Sequence, residues 1–210
     1  MKMRGSSHAL IGGAAGMAVA YGQQADPVTA ASLIGIGVLS GLMPDLDVNG
    51  KLSNTITSKK WIYGLMALIG ALLAGDSAFS ERGTQQWAGM MIGAGLLVLP
   101  RIFMKKRTVL FMTGAAILGA GFIMHETWIL LMGIYIAAAS RQPHRGITHS
   151  LIGLAFFGWI GYLLEQDLQM DGVFYTSLAG YASHLAADLK LLPMNRKGVK
   201  WLQPFSKKEW

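Results

Sequence analysis

Cysteine is missing from all 210 residues, which excludes disulfides, thiolate zinc sites and cysteine nucleophiles and leaves the redox compartment unread. Any metal the chain holds must be bound through nitrogen and oxygen. Charge is also scarce: Asp, Glu, Lys and Arg make up 14% of the chain, against ~25% in a soluble domain. So few ionic groups cannot cover a soluble surface. No linker, low-complexity tract or residue-level repeat interrupts the sequence, and no polar block is long enough to fold separately, so residues 1–210 read as one membrane-embedded domain.

What is present is apolar and basic. Hydrophobic residues make up 52% of the chain, and 18 Lys and Arg against 11 Asp and Glu give a formal charge of +7. Apolar segments recur over residues 8–22, 28–43, 61–75, 85–100, 108–124, 128–140, 150–165 and 173–192. They predict an all-α, polytopic membrane bundle of about eight short helices. Most fall below the ~20 residues of a full span, which leaves re-entrant or half-buried segments open for some. Lys2 and Arg4 before an apolar run ending Ala18-Val19-Ala20 also resemble a secretory leader, but that run carries His8, for which a disposable leader has no use. The 27 glycines suit membrane helices, where small residues let backbones approach; Gly93-Ala94-Gly95 and the stretch from Gly114 to Gly121 fit that use. Trp61, Trp87, Trp128, Trp201 and Trp210 stand near segment ends, as interfacial aromatics do.

An N-terminus inside, followed by eight alternating spans, makes the loops at 44–60, 101–107 and 141–149 and the tail from 193 cytoplasmic. Of the 18 Lys and Arg, only Arg82 then falls outside, while Asp26, Asp76, Glu81, Glu126, Glu165, Asp167 and Asp171 lie on the outer side, as the positive-inside rule expects. Both termini are then cytoplasmic. The basic tail over 194–210, with Arg196, Lys197, Lys200, Lys207 and Lys208 around Trp201 and Phe205, reads as an amphipathic segment attracted to anionic lipid. Nucleic acid is not expected as a partner, because the basic groups are spread over membrane-proximal loops.

The same face collects His8, His144, His149 and His184 together with Asp45, Asp47 and Asp188. Ionisable groups at membrane depth are expensive and usually functional, and imidazole with carboxylate suits Zn, Mn or Fe. His184 and Asp188 are four apart on one helical face, a spacing equally open to a simple hydrogen-bonded pair. In Pro44-Asp45-Leu46-Asp47, proline is expected to close a helix and leave two carboxylates on an extended loop, where they repel unless a cation neutralises them; a solvated turn is the alternative. His144 and His149 flank Gly146, with Thr148 or Ser150 available to cap the next helix. Arg145 beside them is a ready phosphate donor. His125 with Glu126 falls on the opposite side and is set apart as a loop pair.

Ser7-His8-Ala9-Leu10-Ile11-Gly12, the PDLD at 44–47, HRGITHS at 144–150, SHLAAD at 183–188 and GVKWLQPFS at 198–206 together resemble the YdjM-like family of bacterial inner-membrane proteins. The motifs run in order through the whole chain, although residues 60–140 carry nothing diagnostic. The resemblance implies a metal-dependent hydrolase of the cytoplasmic membrane, with ligands at His8, Asp45, Asp47, His144, His149, His184 and Asp188. That set is similar to the zinc centres of bacterial phospholipase C and the single-strand nucleases. The N-terminal Trp ligand of those enzymes has no counterpart here, which favours two ions over three, most simply Zn2+, with Mn2+ or Fe2+ as alternatives. Lys190-Leu191-Leu192-Pro193 replaces the Thr usual after the SHLxxD acid. A pair of ions ~3.5 to 4 Å apart would activate water and hold phosphoryl oxygens, which points to phosphoester hydrolysis of a lipid or isoprenoid phosphate. Asp47 or Asp188 is the candidate base and Arg145 the candidate oxygen donor. A divalent-metal carrier is the rival reading, and a polar cluster that merely staples helices is the third. Oligomeric state is not encoded in any feature of the sequence.

Overall fold

The computed structural model describes residues 5–46, 59–80, 82–103, 105–143, 146–190 and 198–206. Among these residues the chain is all-helical, without strands, and has eight α-helices: α1 Gly5–Gly22, α2 Pro27–Leu42, α3 Lys59–Ser80, α4 Thr84–Phe103, α5 Lys106–Met124, α6 Thr127–Arg141, α7 Leu151–Leu168 and α8 Val173–Ala187. Two 3-10 turns, Met43–Asp45 and Ile147–His149, extend the end of α2 and precede α7. All eight segments expected from hydropathy are helices. α3 runs past its apolar stretch because polar side chains serve its last turns: Gln86 Nε2 donates to the Ala78 carbonyl at 2.9 Å and Ser80 Oγ to Asp76 at 2.9 Å.

Two helices, Pro27–Asp45 with its 3-10 extension and Lys106–Met124, are long and apolar enough to cross a membrane; only 22% of the second is buried within the protein. The outward faces are those of a protein in an apolar solvent. Leu10 is 75% exposed, Val28 74%, Ile123 77% and Phe79 93%, whereas the buried faces carry Gly, Ser and His. Leu33, Ile160 and Leu185 are buried as well, so the apolar surface is not confined to one inward-facing stripe as it is in a helix of a soluble protein.

The chain divides into two compact units, Thr55–Val109 and the remainder, Met1–Asn54 with Leu110–Trp210. The smaller unit is the antiparallel pair α3 and α4, closed where a Cβ on Gly70 would lie 2.6 Å from the Gly93 carbonyl oxygen. In the larger unit, α1 and α2 are antiparallel and nearly in backbone contact. A side chain at Gly12 would strike the Gly37 carbonyl oxygen, one at Gly37 would strike that of Gly12, and one at Gly41 would lie 2.7 Å from the His8 carbonyl. Two small-xxx-small motifs, Gly12/Gly16 and Gly37/Gly41, thus face each other, the packing that membrane helices use where apolar burial gives no advantage over lipid. α8 joins them through Gly180, which sits against Ser40 and Gly37. α5 and α6 pack closely at Gly114, Gly121 and Gly133, but Gly119 faces open space, so not every glycine of the 114–121 stretch serves close packing.

At one end of this unit water-facing acids tie the chain. Asp26 caps α2, accepting from Val28 N at 3.0 Å and Thr29 N at 3.3 Å; the Thr29 side chain and these two N–H groups hold its carboxyl below the usual range. Glu165 accepts from Phe174 N at 2.8 Å and Asp167 from the Trp128 indole at 3.1 Å. The tail over 198–206 folds back onto the other end, with Val199 fully buried and the Trp201 carbonyl accepting from Leu151 N at 3.0 Å. This fixes the start of α7. Phe205, in contrast, is left exposed.

Candidate metal centre

Four element ends meet where the tail docks. α1 contributes His8 from its first turns, the 3-10 turn after α2 contributes Asp45, the turn before α7 contributes His149, and the last turn of α8 contributes His184 with Asp188 at its C-cap. All five side chains are buried. The local sequence explains each placement. Pro44 occupies the start of a 3-10 turn, where its missing N–H costs nothing, so Asp45 is held on a turn and not on the extended loop expected after a closing proline. Ser150 caps α7, accepting from Gly153 N at 3.4 Å, and donates to the Ile147 carbonyl at 2.6 Å, which curls His149 inward just before the helix begins. The i, i+4 spacing of His184 and Asp188 brings their reactive atoms to 3.8 Å.

The geometry is that of ligands arranged around a shared point. His8 Nε2 stands 3.6 Å from Asp188 Oδ1, His149 Nε2 3.4 Å from Asp45 Oδ1 and 3.8 Å from Asp188 Oδ2, and His184 Nε2 3.9 Å from Asp45 Oδ1. These separations exceed the ~2.7–3.2 Å of a hydrogen bond. The shorter ones, 3.4 and 3.6 Å, match the ~3.3–3.6 Å edges of a tetrahedron of N and O ligands each ~2.0–2.2 Å from a zinc-like ion, and the others are a few tenths of an ångström wider. The His8 and His184 rings stack at 3.9 Å between centroids, and the His149 ring stands edge-on to His184 at 5.3 Å. Two triads qualify as metal-binding groups, His8/His184/Asp188 and Asp45/His149/His184. They share His184, and Asp188 reaches from one into the other through its two oxygens.

The tautomer of His184 tests whether a cation fits. Its Nδ1 lies 2.7 Å from the Gly41 carbonyl oxygen, which can only accept, so Nδ1 carries the hydrogen and the neutral ring has its lone pair on Nε2. That nitrogen makes no hydrogen bond and faces two carboxylate oxygens. Acceptor opposes acceptor in a buried space, and a divalent cation between them satisfies all three at once. Gly41 itself packs against the α1 backbone at His8 and Gly12, so the helix packing and the orientation of this imidazole have one cause.

A second layer holds the two 3-10 turns. The Tyr135 hydroxyl of α6 lies 3.1 Å from the Met43 carbonyl and 3.0 Å from the Tyr181 hydroxyl of α8, which donates to the Thr148 carbonyl. Both tyrosines are buried. They clasp the turns that present Asp45 and His149. Thr148 Oγ1 lies 3.3 Å from His149 Nδ1. Sequence reasoning did not single out Tyr135, Tyr181 or Gly41. A tyrosine inside an apolar helix is itself a signal, because its hydroxyl needs a partner there.

Of the residues expected to form the site, the structure brings together His8, Asp45, His149, His184 and Asp188. Asp47, His144 and Arg145 lie outside the described residues. His125, set apart at the outset, sits in the turn between α5 and α6 at a positive φ of 58° and takes no part in either triad.

Neither a curated protein nor a solved structure matches this chain. A family model does match, over residues 3–210, a span that includes all five converging side chains, and the chain belongs to the YdjM inner membrane protein family.

Proposed function

We propose that this chain is a multi-pass hydrolase of the bacterial inner membrane, acting from the cytoplasmic side on a phosphoester of a lipid or isoprenoid phosphate with a di- or trinuclear divalent-metal centre, zinc in the first instance. The observation that carries the reading is the convergence of three imidazoles and two carboxylates, all buried, from four separate element ends. A divalent cation there supplies Lewis-acid stabilisation of a phosphoryl oxygen and an acidified water at neutral pH. The residues do the rest. His8, Asp45, His149, His184 and Asp188 would hold the metal. Because both oxygens of Asp188 face imidazoles, we assign it to ligation and give the general-base role to Asp47, two residues from Asp45. Arg145, four residues before His149 in the sequence, is assigned to a non-bridging phosphoryl oxygen.

The cytoplasmic orientation is supported by the antiparallel helices, which bring the start of α1 and the ends of α2 and α8 to one side, and by the positive-inside count of the loops there. A lipid phosphate suits a centre at this level, since its headgroup lies at the same depth. The metal-carrier alternative needs polar groups at several depths along a path, and the five converging groups lie at one. The test is phosphate release from a panel of lipid and isoprenoid phosphates by zinc-loaded protein in detergent. Release that falls by about a hundredfold or more in Asp188→Asn and His149→Ala supports the reading. Absence of release from every substrate, or release unchanged in both variants, overturns it.

A further inference from the structure

Between α6 and α7 lies an apolar groove of about 190 Å³, lined among others by Ile134, Tyr135, Ala138, Thr148, Ile152 and Phe156. It has a direction. Gln142 and Thr148 stand at the end nearest the metal centre, and Ile134 and Phe156 at the far end; from Ile134 to the end of α6 at Arg141 is about 10 Å at ~1.5 Å per residue. The groove is thus polar at the headgroup level and apolar in depth, the polarity of an inserted lipid. It also shares a wall with the centre. Thr148 lines the groove while its hydroxyl touches the His149 ring at 3.3 Å, and Tyr135 lines it while its hydroxyl reaches Met43 in the turn that carries Asp45.

From this continuity we infer that the groove seats one hydrocarbon chain of the membrane lipid whose phosphate occupies the metal centre. The inference rests on the proposed function and deepens it by making the substrate a chain-bearing phosphate. The small volume of the groove takes a single chain, and Ala138, Ala139 and Gly153 are the small residues in its wall. A chain leaving the bilayer for an equally apolar groove gains little affinity, so the groove acts by orientation: it holds the ester over the ligands and raises turnover.

The test uses the full chain, zinc-loaded, in phosphatidylcholine nanodiscs, with a long-chain alkyl phosphate carrying a mid-chain diazirine and the corresponding alkyl alcohol as control. The phosphate probe should label peptides within 134–156 about tenfold more than the alcohol, the discrimination expected of a charge-assisted anchor. Ala138→Phe and, independently, Ile152→Trp should abolish that excess while the zinc content of the same samples is unchanged. Equal labelling by the two probes, or an excess that survives both fillings, overturns the inference. Headgroup-dependent labelling without phosphate release leaves the inference standing and removes the hydrolytic reading. Release without headgroup-dependent labelling does the reverse.

Discussion

The two ends of the larger unit both hold acids, and they use them in opposite ways. At one end Asp26, Glu165 and Asp167 accept from a helix N-terminus, a backbone N–H and an indole. Each has a proton donor at hydrogen-bond distance, and together they join helix ends near water. At the other end Asp45 and Asp188 are buried and face imidazole nitrogens at 3.4 to 3.9 Å. For His184 the hydrogen is already committed to Gly41 on the far side of the ring. The first set is held by N–H donors, whereas the second is arranged so that it could hold a metal ion at its middle. Residue type alone does not separate structure from chemistry here; the direction of the available protons does.

The sharpest way to break this contrast is to remove the shared ligand. His184→Ala deletes a member of both triads, and zinc per protein, measured by mass spectrometry after purification in detergent, should fall to about a hundredth or less at limiting metal, since even an outer-shell change costs ~10- to 100-fold. Chelation of the parent protein should lower its melting temperature, because an ion present at 100 to 1,000 times its Kd contributes ~3 to 4 kcal/mol. The same chelator should leave the melting of His184→Ala unchanged. A variant that still binds zinc with parental affinity would sink the assignment of this cluster as a metal centre.

Most of this end was legible in the sequence. His8, Asp45, His149, His184 and Asp188 could be gathered because the positive-inside count alone puts them on one face. The turn geometry was not legible: the expectation for Pro44 treated proline as a helix stop, while the chain continues into a 3-10 turn whose first positions tolerate it. The tyrosine clasp was missed because its acceptors are backbone carbonyls of residues 92 and 33 positions away, and no side-chain pattern marks a carbonyl. Helix positions followed from hydropathy, but their ends did not. The extra turn of α3 rests on Gln86, which belongs to the following helix. The glycine contact of Gly12 and Gly16 with Gly37 and Gly41 was not read from the sequence, because it is fixed by the antiparallel pairing of α1 with α2 and not by local pattern.

That pairing offers a graded test within one helix. Gly37 is pressed against the Gly12 backbone, and Gly35, two residues away, has nothing within 4 Å of where a Cβ would stand. Gly37→Ala should cost about 1 to 3 kcal/mol of stability and also weaken zinc binding, since parting α1 from α2 moves His8 and the Gly41 carbonyl that orients His184. Gly35→Ala should stay within about 0.5 kcal/mol and leave zinc binding as it is. Thermal melting and zinc titration on both variants give the answer. If the two behave alike, close backbone approach is not what positions the centre.

The smallest effect is expected at the opposite end, and it has a pH signature. Hydrogen bonds from the Thr29 side chain and from the Thr29 and Val28 N–H groups lower the carboxyl of Asp26 below its ordinary value of 3.8. A folded value below the unfolded one means that the group stabilises the protein above the unfolded value, and that this contribution disappears as pH falls through the folded value. Asp26→Ala should therefore melt slightly below the parent protein at pH 6, and the gap should close as the pH is taken below 3.8. Any effect of acid at the other end is shared by the parent and the variant, and distant sites contribute additively. Zinc content at neutral pH should be the same in both. A drop in zinc in Asp26→Ala would mean that the two ends are coupled, and that the acids at the water-facing end do more than join helices.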